Sequence, residues 1–199
     1  MILNHLKAAT HSRHAALESR LPLLDAHLAR SAYREFVHLF FGYYEPLEET
    51  LLAQPCWESI GFDYAERRKT PRLRQDLLAL GDSAASLDRL ARCQSLPPLA
   101  SPAQVLGCLY VIEGATLGGQ IISRRLASGL GLDATSGAAF FSGYGPQTGS
   151  RWKAFCAMLE SQAEQHGHHQ DMVDSARQTF ETLGHWLFPK YPVFAAGSP

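Results

Sequence analysis

Nothing in this sequence pairs its cysteines. Cys56, Cys93, Cys108 and Cys156 are widely spaced and form no CxxC motif. Neither a disulfide framework nor a zinc ribbon is therefore expected, and a reduced intracellular protein is the simplest reading. An excess of one charge is missing too. The 18 Lys and Arg against 19 Asp and Glu are scattered and leave a net charge of −1, which excludes the electrostatic footprint of a nucleic-acid binder. The opening "MILNHLKAATHSRH" lacks the long apolar core of a signal peptide. With no apolar run of about 18 residues, no membrane span is expected and the location is read as cytoplasmic. Alternating strand patterns and internal repeats are absent as well.

What is present is a hydrophobic share of 46% in 199 residues, enough for one domain over residues 1–199 with a substantial core. Helical spacing dominates. Leu3, Leu6, Thr10, His14, Leu17 and Leu21 recur at intervals of three and four, and Pro22 suits the end of that helix. Ser31 is expected to cap a second helix, "AYREFVHLFFGYYEPLEETLLA", which Pro46 should bend. "TPRLRQDLLALG" opens on Thr-Pro and stops at Gly81, and Ser101-Pro102 opens the next helix. A glycine-rich connection, "SGLGLDATSGAAFFSGYGPQTGS", leads to helices around "RWKAFCAMLESQA" and "MVDSARQTFETLGHWLF". The class is all-α, a single helical bundle.

Inside one helix stands "IEGATLGGQII", with Gly114, Gly118 and Gly119. Each glycine in a helix interior loses roughly 1 kcal/mol relative to alanine, so the bare backbone must serve something. Close helix packing is one use. A flat surface for a large planar ligand, at Gly114 and Gly118 one turn apart, is the other, with Gly119 permitting a bend. The first helix offers a way of holding such a ligand. His14 shares a stripe with apolar residues and is expected to point inward, Lys7 lies two turns earlier, and Glu18 follows one turn later as a hydrogen-bond partner for the ring. An axial histidine, a glycine-surfaced opposite wall and reaching lysines make a haem pocket, with room for a small gas on the second face of the iron.

These stretches carry a resemblance. "LKAATHSRHAALES" resembles the proximal helix of haem (heme) oxygenases, with its Lys-x-Ala-Thr-x-x-x-His-x-x-x-Glu run. "GATLGGQ" is similar to the kinked distal helix of that family, "REFVHLFFGYYEPLEETL" to its second helix, and "WKAF" to the helix start that contributes a lysine to the haem propionates. The soluble bacterial branch, including enzymes associated with bacteriophytochromes, is the nearest look-alike. The resemblance implies haem sandwiched between a proximal and a kinked distal helix, with His14 as axial iron ligand and Thr10 and Glu18 beside it. Lys7 and Lys153 would pair with propionates, Phe180 would form part of the wall, and Gly114, Gly118 and Gly119 would steer bound oxygen. It implies an enzyme that cleaves haem oxidatively to biliverdin, releasing CO and ferrous iron. Haem would be both cofactor and substrate. O2 is consumed, and electrons come from an external donor such as a ferredoxin or a flavin reductase. A bacterial phytochrome is a possible recipient of biliverdin.

The pattern departs from the family in two places. Ala115 stands where many members carry an aspartate that organises distal water, and Leu117 where a serine is common. Proton delivery then uses other groups. An alternative stays open on that account: a haem-binding or trafficking protein on the same fold, without efficient turnover. A thiaminase-like bundle with no haem is a third reading, and it would need an acidic and cysteine constellation in the core. The animal enzymes' C-terminal anchor has no counterpart in the closing "YPVFAAGSP".

Among the remaining histidines, His11 is a rival axial ligand, about 60° around the helix from His14. "HGHH" (His166, His168, His169) reads as a solvated loop rather than a metal site, and Arg124-Arg125 as a solvated helix face or a docking patch for an acidic electron donor.

Overall fold

The computed structural model describes residues 1–190; "YPVFAAGSP", residues 191–199, lies outside the described residues. Among those described there are nine α-helices and no strand: α1 Ile2–Glu18, α2 Arg30–Leu52, α3 Trp57–Ile60, α4 Thr70–Ala79, α5 Ala84–Asp88, α6 Pro102–Leu130, α7 Ala139–Ser142, α8 Thr148–His166 and α9 His169–Leu187. The short α3 and α5, and 3-10 turns at 22–24, 65–67 and 145–147, fill stretches where the spacing gave no signal.

The long helix α6 runs through the middle, packing most extensively on α9 and also on α7 and α8. Ser101 caps it, its hydroxyl accepting from Gln104 N–H at 3.3 Å, and Gly131 ends it in the left-handed region at φ 66°. An 18-residue window of α6 has a mean hydropathy of 1.5, enough to cross a membrane by length and composition, yet half of that window is buried inside the fold. The absence of a long unbroken apolar run had hidden this, because glycines and one glutamate punctuate it. Burial against its neighbours is what the apolar content serves.

The helix that Ser31 was expected to cap begins two residues earlier, with Ala29 in the capping place. Extended backbone at Ala29 (φ −74°, ψ 145°) sets the boundary, the first bond runs from Tyr33 N–H to Ala29 O at 3.0 Å, and Ser31 falls inside the helix where it makes no cap. Pro46 lies within α2 without ending it. Proline has no N–H for the carbonyl four residues back, which is Gly42 O. Cys93 N–H donates to that oxygen instead, at 2.9 Å. Gly42 must also lack a side chain, since a Cβ there would stand 2.4 Å from Ala91 O. One proline and one glycine thus make the berth for residues 91–93.

α1 is held by the far end of the chain. Met1 gives it no side-chain cap, and the Glu160 carboxylate on α8 accepts from Ile2 and Leu3 N–H at 3.1 and 3.3 Å. Arg13 pairs with Glu181 on α9 at 2.7 Å, and Leu6 and Leu17 are buried, each contributing roughly 1.5–3 kcal/mol.

The four-residue α7 depends on a buried carboxylate. Asp76 on α4 accepts from Ala139 and Phe140 N–H at 2.6 and 2.8 Å, and burial pushes its pKa from the ordinary 3.8 up to about 6. The folded chain therefore takes up this proton before the unfolded chain does. Asp76 adds stability as pH falls from about 6 to about 4, and that contribution is lost again as pH rises through 6. The expected size is about 2–3 kcal/mol at most. Urea melts of the wild type and Asp76→Asn at pH 7 and pH 4 check this: the difference between the two proteins should move in favour of the wild type at the lower pH. A pH-independent difference counts against it.

Candidate functional site

The two stretches that stood out in sequence are brought together where α1 meets α6. A Cβ built on Gly118 would lie 3.8 Å from Glu18 Oε1, and Glu18 in turn meets His14 Nε2 at 3.2 Å. The i,i+4 spacing on α1 makes the His14–Glu18 contact a local property of the helix. The carboxylate stands at ion-pair distance from Nε2, and Nδ1 is the ring's other nitrogen.

His14 is not buried in the core as its stripe predicts. Its side chain is 53% exposed, while Leu6, Thr10 and Leu17 of the same stripe are buried. The difference is one of neighbours: Leu6 and Leu17 join the core, whereas the imidazole opens on the space beside α6. Its aromatic companion is Phe180 of α9, 5.7 Å between centroids and itself buried. Lys7 is also exposed rather than core-facing, and so is Lys153 on α8. An ammonium in water costs no desolvation, so both lysines stand in solvent rather than in the core. Thr10 is buried and donates its hydroxyl to Leu6 O at 2.7 Å, a bond within its own helix.

The three glycines do different things. Gly119 is a packing glycine: a Cβ there would come 2.9 Å from Phe141 O. Ser123–Ser142 at 3.1 Å and Gln120 to Gly145 O at 3.3 Å fasten the same side of α6 to residues 140–145. Gly114 lies against Trp152 of α8, whose ring would touch a Cβ at 3.4 Å. Gly118 has only Glu18 before it. The helix runs unbroken through all three from Pro102 to Leu130. At roughly 100° per residue, Gly114, Gly118, Leu117 and Ile121 fall on one stripe. Leu117 and Ile121 are 40% and 55% exposed, two of the few large apolar side chains left open in the described residues. Aliphatic side chains in solvent beside bare backbone and a half-exposed imidazole make a surface suited to a flat apolar ligand.

Sequence reasoning missed Trp152, one residue before the lysine it singled out, and missed Glu113, one residue before the first glycine. Glu113 is 1% exposed and bonded to Lys69, Arg67 and Tyr144. An acid in an apolar helix next to glycine gives no hint of partners tens of residues away. The rival His11 is exposed, and "HGHH" spans the α8–α9 junction, where His168 meets Asp171 at 3.4 Å. Among the described residues no group of three or more His, Cys, Asp or Glu could hold a metal ion.

Known proteins match this chain over most of its length. The family profile described as "Heme oxygenase" matches residues 1–188. "Heme oxygenase" of Xanthomonas campestris pv. campestris (strain 8004) is 29% identical over 160 residues, which span 79% of this chain and 87% of that protein. "Heme oxygenase PigA" of Pseudomonas aeruginosa is 28% identical over 158 residues, 78% of this chain and 75% of that one. Among solved structures, the NO- and CO-bound heme oxygenase from Neisseria meningitidis superposes with a TM-score of 0.80 at 17% identity, covering 100% of this chain and 99% of that chain. The Leptospira interrogans heme oxygenase gives 0.70 at 21% identity, covering 92% and 96%. At such identities the structures speak for a shared fold.

Proposed function

The chain belongs to the haem oxygenase family, and from that premise we propose that it opens haem to biliverdin with release of CO and ferrous iron, with haem as its substrate. The observation that supports this best is the half-exposed His14 imidazole, paired with Glu18 and set across from Gly118. The residues present fit a haem. One imidazole is half exposed, the facing helix is bare at Gly118 and meets the Trp152 ring at Gly114, and exposed aliphatic side chains extend the same stripe. When bound, haem supplies the iron at which O2 is reduced and the porphyrin edge that is oxidised.

The protein's part is to bind and orient. His14 would hold the iron, an imidazole ligand rather than a thiolate, and Glu18 beside it would orient the ring. Phe180 packs beside the imidazole. Gly118 would let the α6 backbone approach where a side chain would stand off, with Gly114 beside Trp152, and Leu117 and Ile121 would offer apolar surface along one edge. Lys7 and Lys153 would pair with propionates and fix the rotation of the macrocycle. With Ala115 exposed and unable to hold a proton, proton supply would pass through ordered water. Reducing equivalents would come from a ferredoxin or flavin reductase docking near Arg124 and Arg125, and a bacterial phytochrome is a candidate recipient of the product.

The test is direct. One equivalent of haemin is added to the purified protein, ascorbate is supplied in air, and the visible spectrum is followed. Loss of the Soret band with growth of a biliverdin band is the expected result. A Soret band that forms and stays would make the protein a haem carrier, and no Soret band would remove haem from its function.

A further inference from the structure

A buried charge cluster stands directly behind the stretch of α6 that carries the glycines, and the function proposed above gives it no role. Glu113 Oε1 takes Lys69 Nζ and, at 2.9 Å, the Tyr144 hydroxyl, while Oε2 takes Arg67 Nη1 at 2.9 Å. Lys69 spends its two other N–H bonds on Arg67 O and Tyr144 Oη, both at 2.8 Å. Its ammonium is thus fully satisfied. Tyr144 is further ringed by the guanidinium groups of Arg67, Arg72 and Arg151, at 5.9, 5.1 and 4.8 Å from its ring centroid. Glu113 and Lys69 are both buried.

Such a cluster rarely stabilises a fold more than apolar side chains of the same volume would. Position is what it defines. It joins the segment before α4 (Arg67 and Lys69), α6 (Glu113) and the connection after α7 (Tyr144). Arg67 Nη1 also reaches Arg151 O at 3.3 Å. The residues next in sequence to Glu113 and Arg151 are Gly114 and Trp152, and these two face each other so closely that a Cβ on Gly114 would meet the Trp152 ring at 3.4 Å. Lys153 follows. The same cluster therefore fixes both partners of the Gly114–Trp152 contact, each through its immediate neighbour.

We propose that Glu113, held by Lys69, Arg67 and Tyr144, is a positioning residue that sets where the Gly114 backbone and Trp152 stand against the substrate. This rests on the haem-cleaving reading for its consequence in turnover, though not for its geometry. Losing the clamp leaves His14 untouched, so haem still binds, while the backbone on the opposite side loses its place.

Two variants test it. Tyr144→Phe removes only a hydroxyl and is the mild one, and Glu113→Gln with Lys69→Met removes both buried charges together. In the haem-free proteins, amide exchange is expected to quicken about tenfold or more over residues 112–119 and 151–153, and little elsewhere. In the haem complexes, affinity should stay within about threefold of wild type. Turnover should fall about tenfold or more, with a changed proportion of biliverdin isomers. Unchanged local exchange, or exchange raised evenly over the whole molecule, overturns the clamp. So do wild-type turnover and isomer proportions in a variant whose exchange has quickened. If the wild type itself leaves haem intact, the proposed function fails while the exchange data still decide the clamp.

Discussion

His14→Ala is expected to lower haem turnover by more than about 100-fold, because loss of a group that merely supports a metal ligand already costs about 10–100-fold. Haem affinity should fall with it and the Soret band should shift or broaden. The fold should survive. The imidazole is half exposed, alanine is a better helix former, and α1 keeps its Glu160 cap, its Arg13–Glu181 pair and its buried Leu6 and Leu17. Circular dichroism and a haemin titration on one preparation separate the two effects. A variant that degrades haem at the wild-type rate would move the axial role elsewhere, and His11 would be examined next.

The second large effect concerns a glycine to which the sequence draws no attention. A Cβ on Gly107 would lie 2.2 Å from Met172 O and 2.9 Å from Ser175 Cβ, with the backbone of α9 unable to give way. Ser175 Oγ bonds Gln104 O at 2.6 Å at the same crossing, so the two helices are fastened at this separation. Gly107→Ala should cost about 3 kcal/mol, overpacking outweighing the gain of roughly 1 kcal/mol in helix propensity. For a chain of this size that lowers Tm by about 6–12 °C. Gly118→Ala is the control. Its nearest contact is an ordinary 3.8 Å, so Tm should hold or rise slightly while the haem reaction changes. Equal melting of Gly107→Ala and wild type would show that α9 yields where the geometry says it cannot.

These two glycines mark what a sequence can and cannot say. That α6 gives up helix propensity is visible in its letters, and the run at Gly114, Gly118 and Gly119 draws the eye because three fall close together. Which neighbour each one faces is a tertiary fact. Gly119 proves to lie under the Phe141 carbonyl, and the isolated Gly107 carries the tightest crossing of all. His14 and Glu18 were readable as a pair because one turn of helix joins them. Glu113 was not, since Lys69 and Tyr144 lie 44 and 31 residues away. His14 stands more exposed than its stripe predicts for a related reason. Periodicity assigns a face to a helix, but only the neighbours decide whether that face meets a core or an opening.

The tether at the start of α1 bears on how the protein is made. Helix α1 is synthesised before α8 and α9, yet its opening N–H groups wait for Glu160, and it packs on both of those helices. Chains generally gain structure from the N-terminal side as synthesis proceeds, but here the opening turn of α1 lacks its Glu160 partner until α8 is made, and its α9 face is bare until later still. A nascent chain therefore has the glycine helix long before it has a finished wall carrying His14. A copy interrupted before α8 and α9 would carry both His14 and the glycines and still be a poor grip for a redox-active iron porphyrin.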